Sequence, residues 1–332
     1  MDFNLSDQQL DWQSKAHSLG KELAADASAS DVIHAAAAAG LVETSPAVAS
    51  GVNPPVDLLA AAVAVEALAY ESSAAGVSLA LHTGVTAGLL SDTRFADLGR
   101  GEAVGAIALS SDDVPIEENG RLSGRAAWVT PLTPLGLAVL GVRSGDGLTA
   151  AAVLLNAPGV LQETVDTAAL AGLVCGHVRL DGAPFVAVGP TMPFMSRVRI
   201  LLAAAGLGMG RRALHEALVA AHGHTGHGAG GEQTVQGLLA DAATELDAAM
   251  LLTWKAAAAR DLSLADASMA KLAATEATQR AVARATQVVG ADSFRRGHII
   301  ERLAQDVRTL ELFAGRTEAL REAVAIETLP HA

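Results

Sequence analysis

The sequence predicts an α+β fold, mostly α, in three zones: an N-terminal helical domain over 1–102, a middle antiparallel β-barrel domain over 103–190 and a C-terminal helical bundle over 191–332. Three observations carry this. Apolar residues recur at helical spacing in the outer zones, short apolar or alternating runs fill the middle one, and capping motifs stand where the helical periods begin. Hydrophobic residues make up 51% and charged residues 18% of the chain, which suits a large core and excludes disorder.

In the first zone, Ser6-Asp7-Gln8-Gln9 reads as a capping box, with Phe3 upstream. The helix it opens carries a stripe of Trp12, Ala16, Leu19 and Leu23. A short helix is expected over 31–41, a loop over 51–55, a helix capped by Asp57 and running to Tyr70, and another over 73–90. Strands are expected over 105–109, 121–129, 137–143, 148–155 and 173–180. Asn119-Gly120, Asp146-Gly147 and Asp181-Gly182 favour positive φ and so mark tight turns between them. Past Met195 the helical period returns. Val235, Leu238, Leu239, Ala242, Leu246 and Ala249 share one face, and Ser263-Leu264-Ala265-Asp266 caps a helix running to about Val289.

Charge excludes several functions. Lys and Arg number 23 against 36 Asp and Glu, a net of −13 that repels nucleic acid over most of the surface. No uncharged apolar run reaches the roughly 18 residues of a membrane span; the best, 200–209, is short and flanked by arginines. Met1-Asp2-Phe3-Asn4 lacks the basic start of an export signal, so a cytoplasmic protein is expected, with no membrane and no nucleic acid as partner. The single cysteine, Cys175, excludes an internal disulfide and reads as a packing thiol within a strand. Only three Trp, one Tyr and six Phe are present, so the core must rest on close contacts between alanine-rich helices, and other subunits are expected to cover apolar surface.

Motif chemistry alone leaves the function open. The run His222-Gly223-His224-Thr225-Gly226-His227 holds three imidazoles, but no carboxylate or cysteine stands at ligand spacing, so no metal is expected. Gly206-Leu207-Gly208-Met209-Gly210 does not follow a strand, so its glycines read as a close helix crossing and not as a nucleotide loop. Glu66, Glu245, Glu311 and Glu318 are candidate bases by type only, because a base must be desolvated beside its substrate proton.

A resemblance narrows this. Gln236-Gly237-Leu238-Leu239-Ala240-Asp241 within 235–249, Ala267-Ser268-Met269-Ala270-Lys271-Leu272-Ala273, Gln287-Val288-Val289-Gly290, Ile300-Glu301-Arg302-Leu303 and Asp306-Val307-Arg308 resemble successive blocks of the acyl-CoA dehydrogenases. Gly124-x-x-x-Trp128-Val129-Thr130 fits the middle zone of that family, and helix–strand–helix is its domain order. The resemblance implies FAD between β-domain and C-terminal helices, its ADP half reaching across a subunit interface. It also implies a glutamate that takes the acyl α-proton while the β-hydride goes to the flavin.

The chain departs from this pattern where chemistry happens. The usual base lies in Tyr-Glu-Gly-Thr, and here the stretch reads Phe313-Ala314-Gly315-Arg316. The alternative base position aligns with Val198, so Ala314 and Val198 leave no catalytic residue. The flavin-contacting loop is reduced to Ser110-Ser111-Asp112-Asp113, the diphosphate element reads from His222 onward, and Gly-Gly-x-Gly reads Gly290-Ala291-Asp292-Ser293. What the resemblance leaves for cofactor binding is Trp128 and Thr130 at the ring, Gln287, Gly290, Arg295 and Arg316 on the ADP side, and the eroded positions Ser110 and His222.

The family also contains α2β2 heterotetramers acting on steroid-CoA side chains, in which one subunit keeps the glutamate and the other is shortened. This sequence resembles the shortened one, with FAD as cofactor, a full-length acyl-CoA dehydrogenase subunit carrying the catalytic Glu as partner, and an acyl-CoA as substrate. The alternatives are a stand-alone dehydrogenase with its base relocated to Glu311 or Glu318, and a non-enzymatic binding or assembly protein on the same scaffold.

Overall fold

The structure is a computed structural model that describes residues 4–42, 57–90, 92–109, 113–145, 147–223 and 233–329. Among the described residues, five α-helices come first: α1 (Asp7–Glu22), α2 (Ala29–Ala38), α3 (Leu58–Glu71), α4 (Ser73–Thr86) and the single turn α5 (Ala96–Gly99). The Ser6 hydroxyl accepts from the Gln9 N–H while the Gln9 side chain accepts from the Ser6 N–H, so the expected capping box forms. Asp57 caps α3 through the Ala60 N–H at 2.9 Å. The second helix begins at Ala29, two residues before its expected start, because Ser28 takes the cap and Asp31 falls in the first turn. Phe3 and the loop expected over 51–55 lie outside the described residues.

Eight strands follow: β1 (Val104–Ala108), β2 (Ile116–Glu118), β3 (Arg121–Val129), β4 (Gly136–Ser144), β5 (Gly147–Leu154), β6 (Val160–Val165), β7 (Cys175–Ala183) and β8 (Val186–Gly189). They pair in the order β6-β7-β3-β2-β4-β5-β8, with β1 also on β4. The sheet is mixed, which corrects the expectation of a purely antiparallel barrel. β1 runs parallel to β4, because β2 and β3 intervene and supply the long crossover that a parallel pair requires. Strands β2, β6 and β8 were not anticipated; each is short or only partly buried, so none shows a clean apolar period. Asn119 (φ 53°) and Gly120 (φ 73°) form the expected turn between β2 and β3. Asp181-Gly182 does not turn the chain: β7 passes through it to Ala183, with Gly182 at φ 60° inside the strand. Asp146 lies outside the described residues.

The remaining helices are α6 (Met192–Gly223), α7 (Gln233–Ala257), α8 (Leu264–Val289), α9 (Ile299–Leu310) and α10 (Thr317–Thr328). By length and composition α6 is apolar enough to cross a bilayer, but 78% of its most apolar window is buried in the molecule, so its apolarity serves the core. One hydrophobic cluster joins Trp12, Ile33, Leu68 and Leu79 of the first zone to Leu201, Leu246, Ala274 and Leu303 of the last. The two helical zones therefore share a core, and α6 is its axis. The glycines of α6 make this possible. A Cβ at Gly208 would lie 2.2 Å from the Glu66 carbonyl oxygen, and one at Gly210 would lie 2.6 Å from Leu246. The Thr278 hydroxyl donates to the Gly206 carbonyl at 2.8 Å. The close helix crossing expected of this glycine run is what forms.

A second cluster, including Leu122, Val129, Leu140, Val153 and Val178, fills the inner face of the sheet. A third seats Val139 and Ala152 against Val85, Leu98 and Phe194 and so docks the sheet on α4 and α6. Asp306 of α9 ties all three zones together. Its carboxylate accepts from the Leu170 N–H at 2.7 Å and from the Ser73 hydroxyl at the start of α4.

Candidate functional site

Between Ala126 and Val129 the pairing of β3 with β7 shifts register, and Trp128 takes φ 56°. This bulge turns the indole outward, where it stays 55% exposed. The Trp128 N–H donates to His177 Nδ1 at 3.3 Å, and the two rings meet edge-on at 5.4 Å. Thr130 sits behind, buried, with its hydroxyl donating to the Trp128 carbonyl at 3.2 Å and its backbone bridged to Ile107 of β1. Ser110 lies outside the described residues, but the end of its loop is held by an ion pair of Asp113 with Arg125.

The C-terminal end of α8 presents a second group. Gln287 is exposed on the last turn, and Gly290 ends the helix at φ 73° with open space where a Cβ would stand. Arg295 is exposed after the turn that follows, 3.7 Å from Asp292. Arg316 is not with them. It precedes α10, next to the Gly315 carbonyl that accepts from Lys271. Lys271 and Gln287 are about 24 Å apart along α8 at roughly 1.5 Å per residue, so the residues expected on the ADP side divide between two places. His222 is exposed on the last turn of α6, its Nδ1 at 2.7 Å from the Leu218 carbonyl, and 224–227 lie outside the described residues. No cluster of three metal-ligating side chains occurs among the described residues.

Neither position at which the resemblance expects a base carries a carboxylate. Val198 is fully buried, its methyl filling the space above Gly84, where a Cβ would come within 2.5 Å of it. Ala314 is half-buried at φ 55°, and its carbonyl accepts from Arg199 Nε at 2.9 Å. Arg199 Nη1 also donates to the Ser268 hydroxyl at 2.7 Å. Lys271 is fully buried and donates to the carbonyls of Leu310 at 2.8 Å and Gly315 at 3.2 Å. Burial pushes the Lys271 ammonium down to about 7, with the Arg199 charge adding to the effect, and burial brings Arg199 down to about 10. Sequence reasoning missed this clamp. Its signal was the arginine inside the apolar run of α6 and the lysine inside the 267–273 block.

The candidate carboxylates are occupied elsewhere. Glu66 accepts from Arg211 Nε at 2.7 Å between α3 and α6, and burial raises its pKa despite the arginine. Glu245 is held down to about 2 by hydrogen bonds from Arg284 and Arg280. Glu311 accepts from Gln279 at 3.1 Å, and Glu318 is exposed in the first turn of α10. None of the four lines the cleft of about 220 Å³ between α1, α3, α4 and α9, or the open groove along β3, β6 and β7. Cys175 is buried, and burial raises its pKa, as a packing thiol requires.

The arrangement of helical zones around a sheet has known counterparts. A butyryl-CoA dehydrogenase from Megasphaera elsdenii superposes with a TM-score of 0.86 over 99% of this chain and 100% of that one, at 18% identity. The fold is that of the acyl-CoA dehydrogenases. A glutaryl-CoA dehydrogenase from Mycobacterium smegmatis in complex with FADH2 matches with a TM-score of 0.83 over 99% of this chain and 96% of that one, at 14% identity. In sequence, the mitochondrial short-chain specific acyl-CoA dehydrogenase of Bos taurus is 27% identical over 311 residues, covering 81% of this chain and 76% of its own. Residues 190–329 match the acyl-CoA dehydrogenase C-terminal domain model. Family model and relative are those of acyl-CoA dehydrogenases, and the structures share their fold.

Proposed function

We propose that this chain is the non-catalytic subunit of a heteromeric, FAD-dependent acyl-CoA dehydrogenase, completing the cofactor site and the tetramer core while a full-length partner supplies the base. The observation that carries this is the pair of base positions. Val198 is locked in the core and Ala314 bears only a methyl group. Absence of a positioned base lowers turnover by about 10²–10⁴.

The residues present fit FAD. The outward indole of Trp128 over buried Thr130 offers a planar apolar wall for the ring system. The Gln287 amide and the Arg295 guanidinium offer donors that an adenine dinucleotide's diphosphate takes up, and Gly290, with open space where a Cβ would stand, leaves room for it beside the end of α8. Held by these residues, FAD would supply a hydride acceptor for the acyl β-carbon. In this reading Trp128 and Thr130 orient the ring, Gln287 and Arg295 hold the ADP half, and no residue of this chain moves the α-proton. Steroid-CoA is the substrate class we propose, by analogy with heteromeric members, and the cytoplasm is the compartment.

A relocated base is the weaker reading, since Glu311 is engaged by Gln279 and Glu318 points from an exposed turn. The test is turnover of the purified chain and of its Glu311→Gln and Glu318→Gln variants, with and without the co-expressed partner. The proposal expects negligible turnover from the chain alone and undiminished turnover of the complex with either variant. Turnover by the chain alone that falls in one variant would overturn it.

A further inference from the structure

Arg199 and Lys271 approach the same loop from α6 and α8, and both are more than nine-tenths buried, at 7% and 0% exposure. Two like charges held this close repel, and each lowers its own stability by leaving water. Among the described residues neither forms an ion pair; their partners are the Leu310, Ala314 and Gly315 carbonyls and the Ser268 hydroxyl. Glu311 is the carboxylate whose charge reaches Lys271, but it forms no hydrogen bond to it, and its Oε2 faces Gln279 at 3.1 Å and Arg308 at 3.4 Å.

Donors are left over. An ammonium has three N–H groups and Lys271 uses two; a guanidinium has five and the hydrogen bonds of Arg199 engage Nε and Nη1 only. Its Nη2 lies beside Gly315, where a Cβ would sit 2.9 Å away, so no side chain at 315 stands against that nitrogen. Next to it Ala314 places a methyl on the half-buried side of the loop. Carbonyl dipoles solvate two buried cations only in part; an anion would neutralise them.

We propose that Arg199 and Lys271, with the 310–316 loop, form an anion site that takes a carboxylate at the edge of Gly315. The planar fork of the guanidinium matches two carboxylate oxygens, and the spare ammonium proton reinforces the same charge. The carboxylate comes either from a small free acid or from an acidic side chain of a partner subunit. The site itself does not depend on the heteromeric reading, since every residue in it belongs to this chain.

Sodium acetate is the probe, with sodium chloride at equal ionic strength as reference, and the melting temperature of the full chain as readout. The expected result is a saturable rise of roughly 2–4 °C for acetate over chloride. Lys271→Met removes one charge, and Ala314→Glu supplies a carboxylate from the chain itself; both variants are expected to abolish the saturable rise. Repeating the titration on the complex with a co-expressed partner separates the sources. A rise that persists there assigns a free acid, and one that disappears assigns a partner's side chain. A rise that does not saturate, or that is the same in both variants as in the unsubstituted chain, would overturn the proposal.

Discussion

Gly208→Ala is the sharpest test of how this core is built. A methyl at that position would stand 2.2 Å from the Glu66 carbonyl oxygen, 2.9 Å from the Tyr70 nitrogen and 3.0 Å from the Ala69 Cβ. A carbon and a carbonyl oxygen rest at about 3.3 Å or more, so α3 and α6 must separate by roughly 1 Å. The obstacle is backbone on both sides and no side chain can swing away. Overpacking of this kind costs about 1–3 kcal/mol and sometimes more, while alanine's better helix propensity returns about 1 kcal/mol. The net expectation is destabilisation by about 1 kcal/mol, reaching about 2 kcal/mol at the upper end of that range. Gly237→Ala is the matched control: it makes the same change in α7, with nothing within 4 Å of the added carbon. That variant should gain about 0.5–1 kcal/mol. Urea unfolding of the full chain measures both. Equal shifts, or a stabilised Gly208→Ala, would refute the view that α6 glycines exist to admit α3.

Three further outcomes are expected. His82 is buried in α4 with Nδ1 accepting from the Gly105 N–H at 2.9 Å, and burial lowers its pKa from 6.5 to about 4. The unfolded chain takes up that proton first, so stability is full above pH 6.5 and falls as pH drops towards 4, by about 3 kcal/mol. His82→Asn, which keeps an acceptor for Gly105, should flatten that part of the urea profile; an unchanged slope would remove His82 as its source. Asp306→Ala leaves the buried Leu170 N–H without its acceptor and should cost about 1–3 kcal/mol in the same assay, whereas a neutral result would mean that Asp306 is not the tie between the zones. Trp128→Ala should lower flavin retained by the assembled complex without changing the melting temperature of the lone chain, because the indole is 55% exposed.

Much of the fold was legible because local and global signals agree in the helices. Ser263 caps α8 and Val289 ends it, since a cap, an unbroken period and a following glycine all coincide. The glycine run of α6 was readable for the same reason: in a helical period, small residues can only mean close approach. Strands β2, β6 and β8 were not readable, because their residues pack on one side only and their pairing is set by β3, β7 and β5. Asp181-Gly182 shows the limit of turn chemistry, as a glycine at positive φ also serves within a strand. At the site, that Val198 and Ala314 stand where the resemblance expects a carboxylate is legible residue by residue. The Arg199–Lys271 clamp was not, because it needs α9 to fold back along α8 and bring Leu310 and Gly315 to a lysine about forty residues earlier in the chain. The same fold-back separates Arg316 from Gln287, which alignment alone had grouped.

Co-expression of this chain with a full-length acyl-CoA dehydrogenase encoded beside it, followed by mass determination and flavin quantitation, addresses the division of labour most directly. The account predicts a complex with two copies of each chain and one FAD per heterodimer, whose turnover depends on the partner's glutamate. A homotetramer of this chain carrying one FAD per subunit and oxidising an acyl-CoA would contradict it.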